Sequence, residues 1–418
     1  MNTSTFAKTI VSHWSVIAVV AVLIYYSIFS HEFQLYWDDQ WQVINSMTND
    51  GISLKNLQTI FHSISNGQYS PINQLYYTLI HLCFGYSSLA FHIGNLLFHI
   101  FNACLVYLLA YSFIRNHFDS KKALGISFFT ALLFAIHPVQ VETVCWISAS
   151  KIVLSTFFYL SALICYIQYM RNSKWQYLLA SGVSSILAMG CKEQSVIIVP
   201  CLLLFDWMLF KRNMRSLKVY IEKVYYLIPA IAIFIVTLVA NKNTGEEIIF
   251  LCYSVFKYLL ISAIPFKLSY LYPFPFQVGE KIPMALWIYL FVILFIGYVI
   301  YLNRRKPLLV FCTLFFILHL LPVLHVIPLP RYVVAADRYL YIPYIAFAIG
   351  LSILSYHLYE RQRKWILYAG FLYCSYLCVY TAGYAPAWKN SDTLKEHFKE
   401  VLKKRETNLS INFKHEKQ

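Results

Sequence analysis

Apolar runs long enough to cross a bilayer recur along almost the whole sequence, and this repetition constrains the fold more than any single motif. They lie at about 10–29, 89–114, 123–136, 152–170, 176–190, 195–210, 224–240, 284–302, 307–322, 338–356 and 365–383; a helix needs roughly 20 such residues to span the hydrocarbon. Backbone amides in lipid must be satisfied within their own segment. The expectation is an all-α integral membrane protein with about 11 transmembrane helices. Composition agrees, since only 13% of residues are charged against about 25% in a soluble domain. The first run has one Lys ahead of it and no small-residue cleavage site behind it, so it reads as a retained span and not as a removed signal.

The formal charge of +15 does not argue for nucleic acid. The basic residues cluster at alternate ends of the runs: Lys8, Arg115/Lys121/Lys122, Arg171/Lys174, Lys211 to Lys223, Arg304/Arg305/Lys306 and Arg361/Arg363/Lys364. Positive-inside topology explains that pattern. It places those loops and the N-terminus in the cytoplasm and the tail on the far side. One further apolar stretch, 248–264, then lies between two outer ends. It reads as a re-entrant or interfacial helix leading into a segment with three prolines, Pro265, Pro273 and Pro275, which cannot form a regular span. The 10 cysteines stand singly, nearly all within apolar runs; they read as small hydrophobes, without disulfide or zinc spacing.

The same orientation gathers the informative polar residues outside. The outer loop at about 31–88 carries Asp38 and Asp39 between Trp37 and Trp41, with no Lys or Arg before Lys55. Two readings are open for the doublet: a solvated helix cap, or a functional group at a membrane surface. A turn at Asn66 to Pro71 precedes an aromatic helix at 72–84, expected to lie along the interface. His137 to Glu142, Lys192-Glu193-Gln194, the Tyr/Phe/Pro loop 266–276 and Arg331 to Arg338 also fall outside. His92 and His99 share a helix face with Asn95 but lack a third ligand, so interhelical hydrogen bonds are expected there and no metal site. After Trp388 the sequence turns Lys- and Glu-rich. The expected division is therefore a membrane domain, 1–388, and a helical non-cytoplasmic tail, 389–418, read as an appendage.

Five segments occur in a familiar order: Asn66-Gly-Gln-Tyr-Ser-Pro-Ile-Asn-Gln-Leu-Tyr-Tyr, Phe91-His-Ile-Gly-Asn-Leu-Leu-Phe-His99, Phe134-Ala-Ile-His-Pro-Val-Gln-Val-Glu-Thr-Val-Cys-Trp-Ile-Ser148, Lys192-Glu-Gln194 and Asp337-Arg-Tyr-Leu-Tyr-Ile-Pro343. Over about 10–390 the chain resembles the membrane portion of the TMTC-type transmembrane O-mannosyltransferases and their bacterial relatives. These belong to the GT-C glycosyltransferase superfamily, with the protein O-mannosyltransferases. The resemblance implies a GT-C fold and transfer of a sugar, mannose by the resemblance alone, from a polyprenyl-phosphate donor to a Ser/Thr hydroxyl of a protein at the non-cytoplasmic face. A bacterial inner membrane is expected more than an endoplasmic reticulum. Such enzymes carry an acidic pair in the first outer loop, which lands on Asp38-Asp39; the first acid of the pair is taken as the base. TMTC-type proteins continue into tetratricopeptide repeats, whereas here about one helix follows the last span. A lipid-linked or cell-envelope glycan acceptor, or a separate partner subunit, therefore stays open.

Displacing a lipid phosphate from an anomeric carbon needs a base, cations for the leaving group, and exclusion of water. Asp38 is the expected base, because a neighbouring carboxylate or burial raises a carboxyl's pKa towards the working range; attack opposite the phosphate inverts the configuration. Asp39 serves to perturb Asp38, to bind the acceptor or to coordinate a metal, so a divalent ion is compatible but not required. For the phosphate the candidates are Arg338, a bidentate fork, and Lys192, a point charge, with Lys267 as an extra contact. Their structural alternatives are pairing with Asp337 and Glu193. His137, Glu142 and Glu193 are candidates for holding sugar or phosphate, the alternative being a satisfied buried His and a capping Glu; Tyr272 belongs to the loop expected to cover the lipid. A flippase or a non-catalytic lipid-binding scaffold is the alternative of another class.

Overall fold

The computed structural model describes residues 3–65, 67–240, 248–269, 271–272, 284–324 and 335–415. It is all-α: among these residues the only extended pairings are two isolated bridges, Ser65 with Gln68 and Tyr272 with Ala335. Each of the 11 apolar runs is helical over most of its length, from Thr3–Ile24 at the start to Arg363–Tyr384 at the end. Among the described residues four helices are long and apolar enough to cross a membrane, namely Ser4–Ile24, Ser88–Ile114, Ile147–Asn172 and Arg363–Trp388. A fifth is added if the bent pair Ser120–Ile136 and Pro138–Cys145 is one span. Shorter apolar helices, including Ile288–Leu302 and Leu251–Ala263, surround them. The chain is an integral membrane protein on this ground.

Burial orders the bundle. The apolar window of Ile147–Asn172 is 72% buried, that of Arg363–Trp388 only 11%, so the first is central and the second faces lipid. Ser88–Ile114 packs against both Ser120–Ile136 and Ser150–Asn172, with Tyr107, Phe134, Tyr159 and Tyr166 fully buried between them. Local chemistry sets the ends. Asp119 caps Ser120–Ile136 by accepting from Lys122 N, and Pro71, Pro307 and Pro343 open their helices where no amide is needed. At His137 the following Pro138 stops the helix, and the chain turns by 50°.

One end of the bundle is closed by a buried ionic cluster. Asp206 accepts from Tyr166 Oη at 2.6 Å and from Lys223 Nζ at 2.5 Å, while Arg212 bridges Asp206 and Glu222. These groups satisfy one another and staple the loop 209–223 to its neighbouring helices. The polar residues of interest lie elsewhere, where the first loop, the bend after His137 and the turns at Lys192 and Asp337 meet.

Candidate active site

Adjacent in sequence, the two aspartates part in space. Asp39 is fully buried; its Oδ2 accepts from Gln34 N at 2.8 Å, and its Oδ1 accepts from both the amide, at 2.9 Å, and the hydroxyl of Ser148. Burial pushes its pKa up to about 6 against the pull of those donors. Asp39 thus ties the first loop to the turn Ile147–Ala149. Asp38 is half-buried. It stands at the N-cap of the short helix Asp39–Gln42 but makes no capping bond; its Oδ2 accepts instead from Gln42 Nε2 at 3.1 Å. Of the pair, Asp38 presents the accessible carboxylate.

Further charges come from three other parts of the chain, at Glu142, Lys192 and Arg338. Glu142, fully buried in the segment after the bend, accepts from Arg338 N at 2.8 Å and from the Arg338 guanidinium. The guanidinium also lies 5.7 Å from the Trp146 ring and 4.9 Å from that of Tyr339, and its side chain is 20% exposed. Arg338 therefore pairs with a residue 196 positions away, not with Asp337, and Glu142 is an ion-pair partner where a helix cap was the structural alternative. Asp337 accepts from Tyr272 Oη at 2.8 Å, so Tyr272 holds this turn from beneath. Lys192, just past Trp175–Cys191, is buried, and its ammonium has no hydrogen-bond or ion-pair partner among the described residues; its charge acts on Glu142 and Lys151.

Lys151 was missed in the sequence, where it looks like the polar boundary of the run at 152–170. It is buried in the first turn of Ser150–Asn172 and donates to Gln42 Oε1 at 3.1 Å and Gln68 Oε1 at 2.5 Å. The charges of Lys192, Asp38, Glu193 and Arg338 all act on it.

The remaining candidates stand apart. His137 accepts from Val139 N at 3.3 Å and packs 4.2 Å from Tyr344, a role in making the bend. Lys267 has a left-handed backbone, φ 51°, and its ammonium lies over the Phe266 ring; no described contact joins it to the group around Arg338. His99 bonds Tyr341 Oη and Ala135 O across helices. Asn66, Tyr270, residues 273–276 of the aromatic loop and Arg331 lie outside the described residues. Over the first loop the tail helix Ser391–His415 begins as a lid. Trp388 is buried and stacked on Trp146 at 5.8 Å, Gln34 Nε2 donates to Trp388 O, and Glu32 N to Lys389 O, both at 2.8 Å.

The family model for dolichyl-phosphate-mannose-protein mannosyltransferases matches residues 69–240. That stretch holds Glu142, Lys151, Lys192 and Glu193, but neither Asp38 nor Arg338. Human protein O-mannosyl-transferase TMTC2 is 31% identical over 161 residues, 36% of this chain and 18% of that protein. The TMTC2 of Xenopus laevis is 29% identical over 175 residues, 39% of this chain and 20% of its own length. Among solved structures, the archaeal oligosaccharyltransferase AglB from Archaeoglobus fulgidus, in complex with an inhibitory peptide and a dolichol-phosphate, superposes with a TM-score of 0.51 at 13% identity, covering 90% of this chain and 56% of that one. The chain is TMTC- and PMT-like, with a GT-C fold. The apo form of the Archaeoglobus fulgidus enzyme gives a TM-score of 0.52 at 14% identity, with 91% of this TMTC-like chain and 56% of that chain covered. This TMTC-like chain thus matches about a fifth of the length of the curated relatives and about half of the solved enzyme.

Proposed function

We propose that this chain is an inverting glycosyltransferase that moves a hexose, mannose by family likeness, from a polyprenyl-phosphate donor to a Ser/Thr hydroxyl of a protein on the non-cytoplasmic face, with Asp38 as general base. The observation that carries the reading is that the charges of the half-buried Asp38, of Lys192, which has no bonded partner among the described residues, and of Arg338 all act on one buried residue, Lys151. The acceptor hydroxyl gives its proton to the Asp38 oxygen not engaged by Gln42 as its own oxygen attacks the anomeric carbon. The bond from that carbon to the phosphate oxygen breaks on the opposite face, and the electron pair leaves with the lipid phosphate. Lys192 receives the developing charge as a point cation. Arg338, whose single charge Glu142 already balances, contributes a directional donor.

Supporting this are the mannosyltransferase description of the matching family model and a fold shared with an enzyme solved with a dolichol-phosphate and a peptide. In the proposed orientation 11 helices cross, the N-terminus is cytoplasmic, and the site and tail lie outside a bacterial inner membrane. The test is turnover by the purified chain in nanodiscs, given polyprenyl-phosphate mannose with Ser/Thr peptides or with glycan acceptors. Asp38→Asn should lower turnover by roughly 10²–10⁴ while leaving donor binding intact. Undiminished turnover would remove the base, and lipid translocation that persists without transfer would favour a flippase.

A further inference from the structure

Lys151 is 7% exposed and the two bonded acceptors of its ammonium are amide oxygens, Gln42 Oε1 and Gln68 Oε1, with no carboxylate in direct contact among the described residues. A buried cation held only by amides is costly, so what the ammonium does to those amides matters. An ammonium only donates, and an ionised carboxylate only accepts. Gln42 lies between the two, and its amide has a single consistent orientation: Oε1 to Lys151, Nε2 to Asp38 Oδ2. The other arm, Gln68, belongs to a tight turn closed by two backbone bonds with Ser65, at 3.0 and 2.9 Å. One ammonium therefore gathers both arms of the first loop onto the end of a central helix.

We propose that Lys151 is the positioning residue of Asp38, acting through the Gln42 amide. The proposal rests on the reading of Asp38 as base. Locked in this orientation, the amide N–H occupies one carboxylate oxygen and leaves the other for the acceptor's proton. The adjacent cation polarises the amide and strengthens that bond, which holds the Asp38 carboxylate in one orientation. The other charged groups here are Asp39 beside it, Lys192 and Glu193 from one turn, and Arg338 with Glu142 from another. None of these stands between Lys151 and Asp38 in the hydrogen-bond chain.

The experiment is a double-mutant cycle on the reconstituted full chain, with kcat and the acceptor KM followed from pH 5 to 9 for Lys151→Met, Gln42→Leu and the double variant, and Asp38→Asn measured beside them. Each single variant should lower kcat about tenfold through misplacement of the carboxylate, with the acceptor KM little changed. The double variant should lose no more than the worse single one, because both break the same relay. If Lys151→Met fails to fold, Gln42→Glu keeps a partner for the ammonium while denying Asp38 its N–H donor, and should lower kcat in the same way. Losses that multiply in the double variant, or a loss carried by the acceptor KM with kcat unchanged, would reduce Lys151 to a structural staple and overturn the proposal. An inactive Asp38→Asn alongside such additivity removes the positioning role alone; an active Asp38→Asn removes the base reading, and this proposal with it.

Discussion

Replacing Arg338 by methionine would remove one half of an ion pair whose other half, Glu142, is fully buried. Breaking such a pair from one side costs about 3–5 kcal/mol, because the remaining charge is left without compensation. Two features hold the expected cost near the lower end, about 3 kcal/mol. The backbone amide at 338 still donates to Glu142 Oε2 at 2.8 Å, and the charge of Lys192 still acts on the carboxylate. Adding Glu142→Gln removes the stranded charge and keeps an acceptor for that amide, so the double variant should return to within about 1 kcal/mol of the parent. Function should not return with it. A charge-assisted hydrogen bond to the lipid phosphate is worth about 1.5–3 kcal/mol, or about 10- to 100-fold in affinity. Thermal unfolding in nanodiscs and polyprenyl-phosphate binding, measured on the parent, both single variants and the double, separate the two effects. A double variant that is stable and binds the lipid phosphate as the parent does would refute the clamp. An unchanged unfolding midpoint in Arg338→Met would refute the buried pair itself.

Lys192 should behave in the opposite way. Its ammonium has no bonded partner among the described residues, so Lys192→Gln should leave the unfolding midpoint unchanged or raise it, while weakening donor binding about tenfold or more; a clear loss of stability would mean that the cation holds the fold. Asp39 adds a pH dependence of definite sign. Its pKa stands at about 6 in the folded chain against an ordinary 3.8, so between those values the folded state binds more protons than the unfolded one, and stability falls as pH rises through that window. Roughly two pH units at 1.36 kcal/mol each amount to about 3 kcal/mol. The gap in midpoint between the parent and Asp39→Asn should accordingly change between pH 4 and 7, and a constant gap would refute the assignment.

Hydropathy made most of the architecture readable, since helix ends follow where apolar runs stop. Trp175–Cys191 falls within a residue of the run at 176–190, and His137-Pro138 breaks its helix as proline requires. The site was legible only in part. Sequence spacing cannot tell which of two neighbouring carboxylates is buried, because that depends on Ser148, 109 residues away. Nor can it show that Glu142 and Arg338 meet. Lys151 escaped notice for a related reason: a lysine at the mouth of an apolar run is ordinarily an interfacial anchor, and only the fold brings Gln42 and Gln68 to it.

The bond from the Gln34 side chain to the carbonyl of Trp388 joins residues 354 positions apart, and the tryptophan stack above it closes the same seam. During synthesis, then, the acid-bearing loop emerges early and must wait for nearly the entire polypeptide before its roof arrives. Nascent or truncated forms lacking that closing segment would hold the acids on an unfinished surface open to water.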